Sequence, residues 1–160
     1  MTRYAQNTAV STERSRAEIE RTLTRYGASK FMYGWDQDQA IIAFQAHDRH
    51  IRFRLPLPAR DDPGFTTYRR GSYNTYKRTA DAAEKAWEQA CRQSWRALAL
   101  VVKAKLEAVS AGISEFEDEF LAYIVMPDGK TISSHVRPAI EHAYETGTMP
   151  QLALTSGGAS

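Results

Sequence analysis

The chain has 160 residues, 42% apolar, 25% charged and 11% aromatic, enough for one compact domain with its own core. Its 21 Lys and Arg against 19 Asp and Glu leave a net charge of only +2, and a single cysteine, Cys91, excludes an internal disulfide or a multi-cysteine metal site. No apolar run approaches the roughly 18 residues of a membrane span, and the opening MTRYAQNTAV has no secretory-type hydrophobic stretch, so a cytoplasmic domain is expected.

Residues 1–10 carry no periodic pattern and read as a flexible arm. A first helix is expected from Ser11 or Thr12, either of which suits an N-cap. Ile19, Leu23 and Tyr26 then form one apolar stripe, and Gly27 ends the helix. A three-stranded antiparallel meander follows. A turn at Gln37-Asp38 pairs Tyr33 with Ile42 and Phe31 with Phe44; a second at Asp48-Arg49 pairs Phe44 with Phe53 and Ile42 with Leu55. Both turns put Phe31, Tyr33, Trp35, Ile42, Phe44, Ala46, Ile51, Phe53 and Leu55 on one face, a core wall. Arg52 and Arg54 fall on the other, polar face. Phe31, Phe44 and Phe53 are expected to stack against Trp87, Trp95 or Leu98.

Pro56 and Pro58 stop the third strand, and residues 59–78 read as a long linker with a turn at Asp61-Asp62-Pro63-Gly64. A long helix is predicted from Thr79 to Ala111, ended by Gly112. Its stripe of Trp87, Cys91, Trp95, Leu98, Val102, Leu106 and Val109 marks one buried face. Thirty-three residues reach about 50 Å, more than the about 30–35 Å of a compact chain of this size. Val102, Leu106 and Val109 are therefore expected to form a homodimer interface, the competing outcome being a fold-back of Phe116, Phe120 and Ile124 onto that end. Ser114-Glu115-Phe116-Glu117 has the form of a capping box. Pro127-Asp128-Gly129 reads as a turn between short strands, and a last helix holds Val136, Ile140 and Tyr144 up to Gly147. The fold class is α+β: residues 11–147 form a single domain, and 148–160 a flexible tail.

The small net charge hides an asymmetry. Residues 1–80 hold 14 Lys and Arg against 8 Asp and Glu, whereas residues 81–160 hold 7 against 11. Between Arg49 and Arg78 eight basic residues, seven of them arginine, face only Asp61 and Asp62. Nucleic-acid binding needs cations for phosphates and flat side chains for bases. The candidate surface comprises Arg52, Arg54, Arg69, Arg70, Tyr73, Tyr76, Lys77, Arg78, Arg92 and Arg96, with Tyr68, Lys85 and Lys103 alongside. The alternative is a solvated surface with its tyrosines packed on the fold.

Catalytic signatures are sparse, and no phosphate-binding glycine loop, zinc-protease helix or nucleophile elbow is present. His47 and His50 flank a tight turn but lack a third ligand for a metal. Glu115, Glu117, Asp118 and Glu119 suit a helix start, with magnesium-dependent nuclease chemistry the remote alternative. Cys91 lies on the apolar stripe and reads as a small hydrophobe. No catalytic residue, metal or cofactor is assigned.

The order helix, three-stranded meander, helix resembles double-stranded-RNA-binding domains in topology, with only Lys77-Arg78 and Lys85 where that family has a lysine-rich helix start. In sequence, Glu13-Arg14-Ser15-Arg16-Ala17-Glu18-Ile19-Glu20, Arg25-Tyr26-Gly27-Ala28, Tyr33-Gly34-Trp35, Arg52-Phe53-Arg54-Leu55-Pro56-Leu57-Pro58, Trp87-Glu88-Gln89-Ala90-Cys91-Arg92, Trp95-Arg96-Ala97-Leu98 and Pro127-Asp128-Gly129 carry a second likeness. With these the chain resembles a group of small uncharacterised proteins of tailed bacteriophages and prophages. That resemblance implies an accessory protein inside a bacterial host and brings no site residues with it. The expected function is non-catalytic nucleic-acid binding. The alternative is a protein–protein interaction module, such as an inhibitor of a host defence complex, working through the acidic helix or the long helix.

Overall fold

The computed structural model describes the backbone of residues 3–36 and 38–150, and the side chains of 12–35 and 38–150. The architecture is α+β, 53% helical and 24% strand. Helix α1 spans Arg3–Arg25, strands β1 Lys30–Asp36, β2 Gln39–Ala46 and β3 Arg49–Pro56 follow, and a short helix α2 covers Pro63–Thr66. Strands β4 (Thr67–Arg70) and β5 (Asn74–Lys77) precede the long α3 (Ala80–Ser110), then α4 (Phe116–Phe120) and α5 (Ile132–Thr146).

α1 begins at Arg3, not at Ser11 or Thr12. No proline or glycine interrupts Arg3–Arg25, so nothing local stops the helix eight residues short. It ends where Gly27 takes φ 89°, a backbone conformation open mainly to glycine, and Ala28 N–H closes onto the Leu23 carbonyl at 2.9 Å.

The main sheet has the order β1-β2-β3, all antiparallel, with Phe31 opposite Phe44 and Tyr33 opposite Ile42 as the alternation predicts. The second turn differs. It lies at His47-Asp48, which pairs Phe44 with Ile51 and Ile42 with Phe53 rather than with Phe53 and Leu55. His47 and Asp48 both adopt positive φ, 50° and 60°. A two-residue hairpin turn asks for that conformation at both central positions, and Asp and His tolerate it better than Arg49 does. The register moves by two residues, so every side chain keeps its face.

The inner face carries the core. Ile42, Phe44, Ala46, Ile51 and Phe53 are buried with Ile19 and Leu23 of α1, Trp95, Leu98, Val102 and Leu106 of α3, and Phe116 and Phe120 of α4. Phe44 lies 6.4 Å from Phe53, and the Phe120 ring stands edge-on to both at 5.9 and 6.2 Å. Tyr33, not a phenylalanine, meets Trp95, at 5.6 Å. Trp35 shares this face by alternation but is exposed at the sheet edge.

α3 matches its predicted span closely: Thr79 caps it by accepting the Ala82 N–H, and it ends just before Gly112. Its stripe is covered within the chain, with Val102 fully buried, Leu106 nearly so and Val109 packed against the core. These three residues are therefore not the free dimer surface expected from helix length. α1 runs along α3 while Phe116 and Phe120 fold back over its end. Lys105 bonds the Glu119 carbonyl at 2.8 Å and holds α4 there. The cap of α4 is Glu115, not Ser114, and no side chain bonds the helix start.

Beyond α4, the pairing expected around Pro127-Asp128-Gly129 is a single bridge between Val125 and Thr131 rather than two strands, and Ile124 bridges Ile51 of β3. α5 closes at Gly147 as predicted. The expected tail at 148–160 lies mostly outside the described residues.

Candidate nucleic-acid interface

The segment read as a linker is structured. Pro63–Thr66 forms one helical turn capped by Asp62, whose Oδ1 accepts the Gly64 N–H at 2.7 Å, and the chain then enters a β4–β5 ribbon. Thr67 faces Lys77, Tyr68 faces Tyr76, Arg69 faces Thr75 and Arg70 faces Asn74. The Arg78 N–H donates to the Thr66 carbonyl at 2.7 Å and continues the ladder one step beyond. Gly71, at φ 75°, starts the three-residue turn at the tip.

The ribbon stands off the core, since every residue from Tyr68 to Lys77 is exposed. Its twelve residues from Thr67 to Arg78 include Arg69, Arg70, Lys77 and Arg78 and no carboxylate. Among the described residues none of these four cations forms an ion pair. Tyr68 and Tyr76 stack across the strands at 5.6 Å and 26°, each with a ring still half open to solvent. Tyr73, at the tip, is 96% exposed. By strand alternation Arg70 shares the face of the tyrosine pair, while Arg69 and Lys77 take the other. Cations therefore lie on both faces of this ribbon, and exposed rings on one face and at the tip.

The root is fixed to α3. Trp87, expected in the core stripe, instead donates its indole N–H to the Pro58 carbonyl at 2.6 Å. Arg60 lies over the same ring, 3.8 Å from its centroid, and pairs with Glu84. Thr67 Oγ donates to the Pro63 carbonyl at 2.6 Å. No sequence pattern announces the Trp87–Pro58 bond, because its partners lie 29 residues apart. A short exposed hairpin has no apolar alternation to reveal it either.

The ten residues expected to form one surface are not all together. Arg69, Arg70, Tyr73, Tyr76, Lys77 and Arg78 share the ribbon. Arg52 and Arg54 project from the outer sheet face, because Ile51, Phe53 and Leu55 turn inward. α3, with Arg92 and Arg96, packs on the inner face, so the sheet stands between these two sets. Arg92 bonds Gln89 at 2.8 Å. It follows Glu84, the partner of Arg60, by two turns along α3.

Arg52 is also tied down. Its guanidinium donates to the Gly129 carbonyl at 2.9 Å, while its Nε has no partner among the described residues. It helps line an outer-face groove of about 680 Å³ with Lys30, Met32, Ala43, His50 and Val125. The turn that supplies Gly129 is stiffened by Asp128. The Lys130 N–H, first, and then His135 at 2.8 Å hold the Asp128 carboxyl below the ordinary range.

The other candidates are occupied structurally. His47 stacks on Phe116 at 4.5 Å, and Glu117 pairs with Arg49. Glu119 is paired with Lys105. Among the described residues no three His, Cys, Asp or Glu side chains converge as metal ligands, and no helix is long and apolar enough to cross a membrane. Cys91 is buried, and that burial pushes its thiol up to about 11. Scans against protein-family models, curated proteins and solved structures return no match.

Proposed function

We propose that this protein is a non-catalytic nucleic-acid-binding accessory protein that grips its ligand with the β4–β5 ribbon. One observation carries the reading: a protruding hairpin with three exposed tyrosines, no carboxylate and four cations that form no ion pair among the described residues. A solvated surface of ordinary composition mixes the two signs of charge, and a loop tyrosine without a partner normally packs on the fold. Neither holds here. The bacterial-host setting implied by the resemblance to tailed-phage proteins fits the same reading, with the cytoplasm as the place of action.

The rival reading, a protein-interaction module such as an inhibitor of a host defence complex, has less support from the surfaces first assigned to it. The acidic helix spends Glu117 and Glu119 on internal pairs, and the apolar stripe of α3 is buried.

The deciding experiment is a binding series on single- and double-stranded DNA and RNA at several salt concentrations. Affinity should fall steeply with salt. Replacing Arg69 and Arg70 together with alanine should weaken binding to every sequence and flatten the salt slope by about one to two ion equivalents. Unchanged affinity in that double variant, or no binding at low salt, sinks the proposal.

A further inference from the structure

β1 is an outer strand of the main sheet, and among the described residues nothing bonds its free edge. The phase of the ladder tells which backbone groups are left over. Ala46 and Arg49 flank the His47-Asp48 turn, and at the far end the Leu57 N–H donates to the Asp38 carbonyl. Even-numbered residues of β2 therefore bond to β3, and odd-numbered ones to β1. Through the pairs Gly34–Ile41, Met32–Ala43 and Lys30–Gln45, the even-numbered residues of β1 are used. Phe31, Tyr33 and Trp35 turn their N–H and C=O groups outward. An open edge of this length without proline or an internal charge is a template for another strand. Two large apolar side chains on it, Met32 at 65% and Trp35 at 71%, are exposed.

We propose that β1 pairs antiparallel with β1 of a second copy, across a two-fold axis at Tyr33, to form a continuous six-stranded sheet. That axis alone sets all three outward-facing residues opposite one another: Phe31 against Trp35, Tyr33 against Tyr33, Trp35 against Phe31. Each is a pair that exchanges both backbone hydrogen bonds. The side chains agree with this register. On the outer face Met32 stands opposite Gly34 of the second copy, in the closer type of pair, where the absent side chain leaves room. On the inner face the exposed Trp35 gains the half-buried Phe31 as a neighbour. The interface is isologous and closes at two copies. It involves neither the ribbon nor the α3 stripe, so it stands or falls apart from the nucleic-acid reading.

The test is sedimentation or light scattering of the full chain over a wide concentration range, with circular dichroism as a check on folding. A two-chain mass is expected at high concentration. Trp35→Pro should raise the dissociation constant by about tenfold, since it removes an outward N–H at both ends of the pairing and none that β2 uses. Trp35→Ala keeps those backbone groups and should hold the dimer better than Trp35→Pro, and Trp35→Lys should leave a monomer even if the first variant folds poorly. A mass of 18.0 kDa throughout overturns the proposal. A dimer indifferent to Trp35→Pro and Trp35→Lys, or one that Trp35→Ala weakens as much as Trp35→Pro does, overturns it equally.

Discussion

The indole N–H of Trp87 donates to the carbonyl of Pro58 at 2.6 Å, so a residue of the long helix fixes the point where the chain leaves the sheet for the ribbon. Trp87→Phe keeps a ring beneath Arg60 and deletes only that bond. The expected loss is about 1 kcal/mol in urea unfolding, typical of one intramolecular hydrogen bond. Amide exchange at Tyr68 and Tyr76, which face each other in the ladder, should quicken while exchange at Phe44 and Phe53 stays slow. Equal acceleration in both regions would show that Trp87 supports the whole fold instead.

Phe44 sits between Phe53 and Phe120 and is buried. Phe44→Ala should cost about 3–5 kcal/mol, the range for truncating a core phenylalanine. Chemical denaturation measures this directly, and a loss below about 1 kcal/mol would mean the three-ring cluster relaxes to fill the space.

How much of this was legible in the residues differs by element. Alternation fixes only which face a side chain takes, so a turn displaced by one residue, from Asp48-Arg49 to His47-Asp48, moved the register by two and left Phe44 and Ile51 on the core wall. The stripe of α3 was plain, but what covers it was not. Tertiary contacts with Leu23, Phe116 and Phe120 bury Val102 and Leu106, and no local pattern encodes them. Leu106→Glu is accordingly expected to unfold the chain rather than to split a dimer. The cations and tyrosines of the ribbon were visible by type, whereas their hairpin was not, because its strands turn neither face to a core. Arg52 and Arg54 looked continuous with Arg92 and Arg96 only while the sheet between them was unknown.

Tyr73, nearly fully exposed at the ribbon tip, serves no core contact. Tyr73→Ala should leave the unfolding midpoint unchanged and weaken single-strand binding by about 1–3 kcal/mol, the usual loss of one base-stacking ring. Tyr73→Phe should retain most of the affinity. Fluorescence anisotropy with a short labelled oligonucleotide measures both, and equal losses in the two variants would point to the hydroxyl rather than the ring.

Burial raises the Cys91 thiol from the ordinary 9.0 to about 11, so the folded state favours the protonated form. Its contribution to stability is fully present below pH 9 and is lost as pH rises through about 11. At pH 8 a disulfide reagent should react with Cys91 only after denaturant is added. Cys91→Ala should reduce the loss of stability between those two pH values, which pH-dependent unfolding reports.

The β4–β5 ribbon takes nothing from the hydrophobic core beyond its root at Thr66–Arg78 and Trp87. With the ribbon as the proposed gripping element, selection for folding and selection for ligand act on separate parts of the chain. Substitutions around Gly71, Ser72 and Tyr73, or extra residues inserted there, change reach and charge while the domain beneath keeps its stability. Related chains facing different ligands would diverge first at this tip, long before the aromatic cluster under the sheet changed.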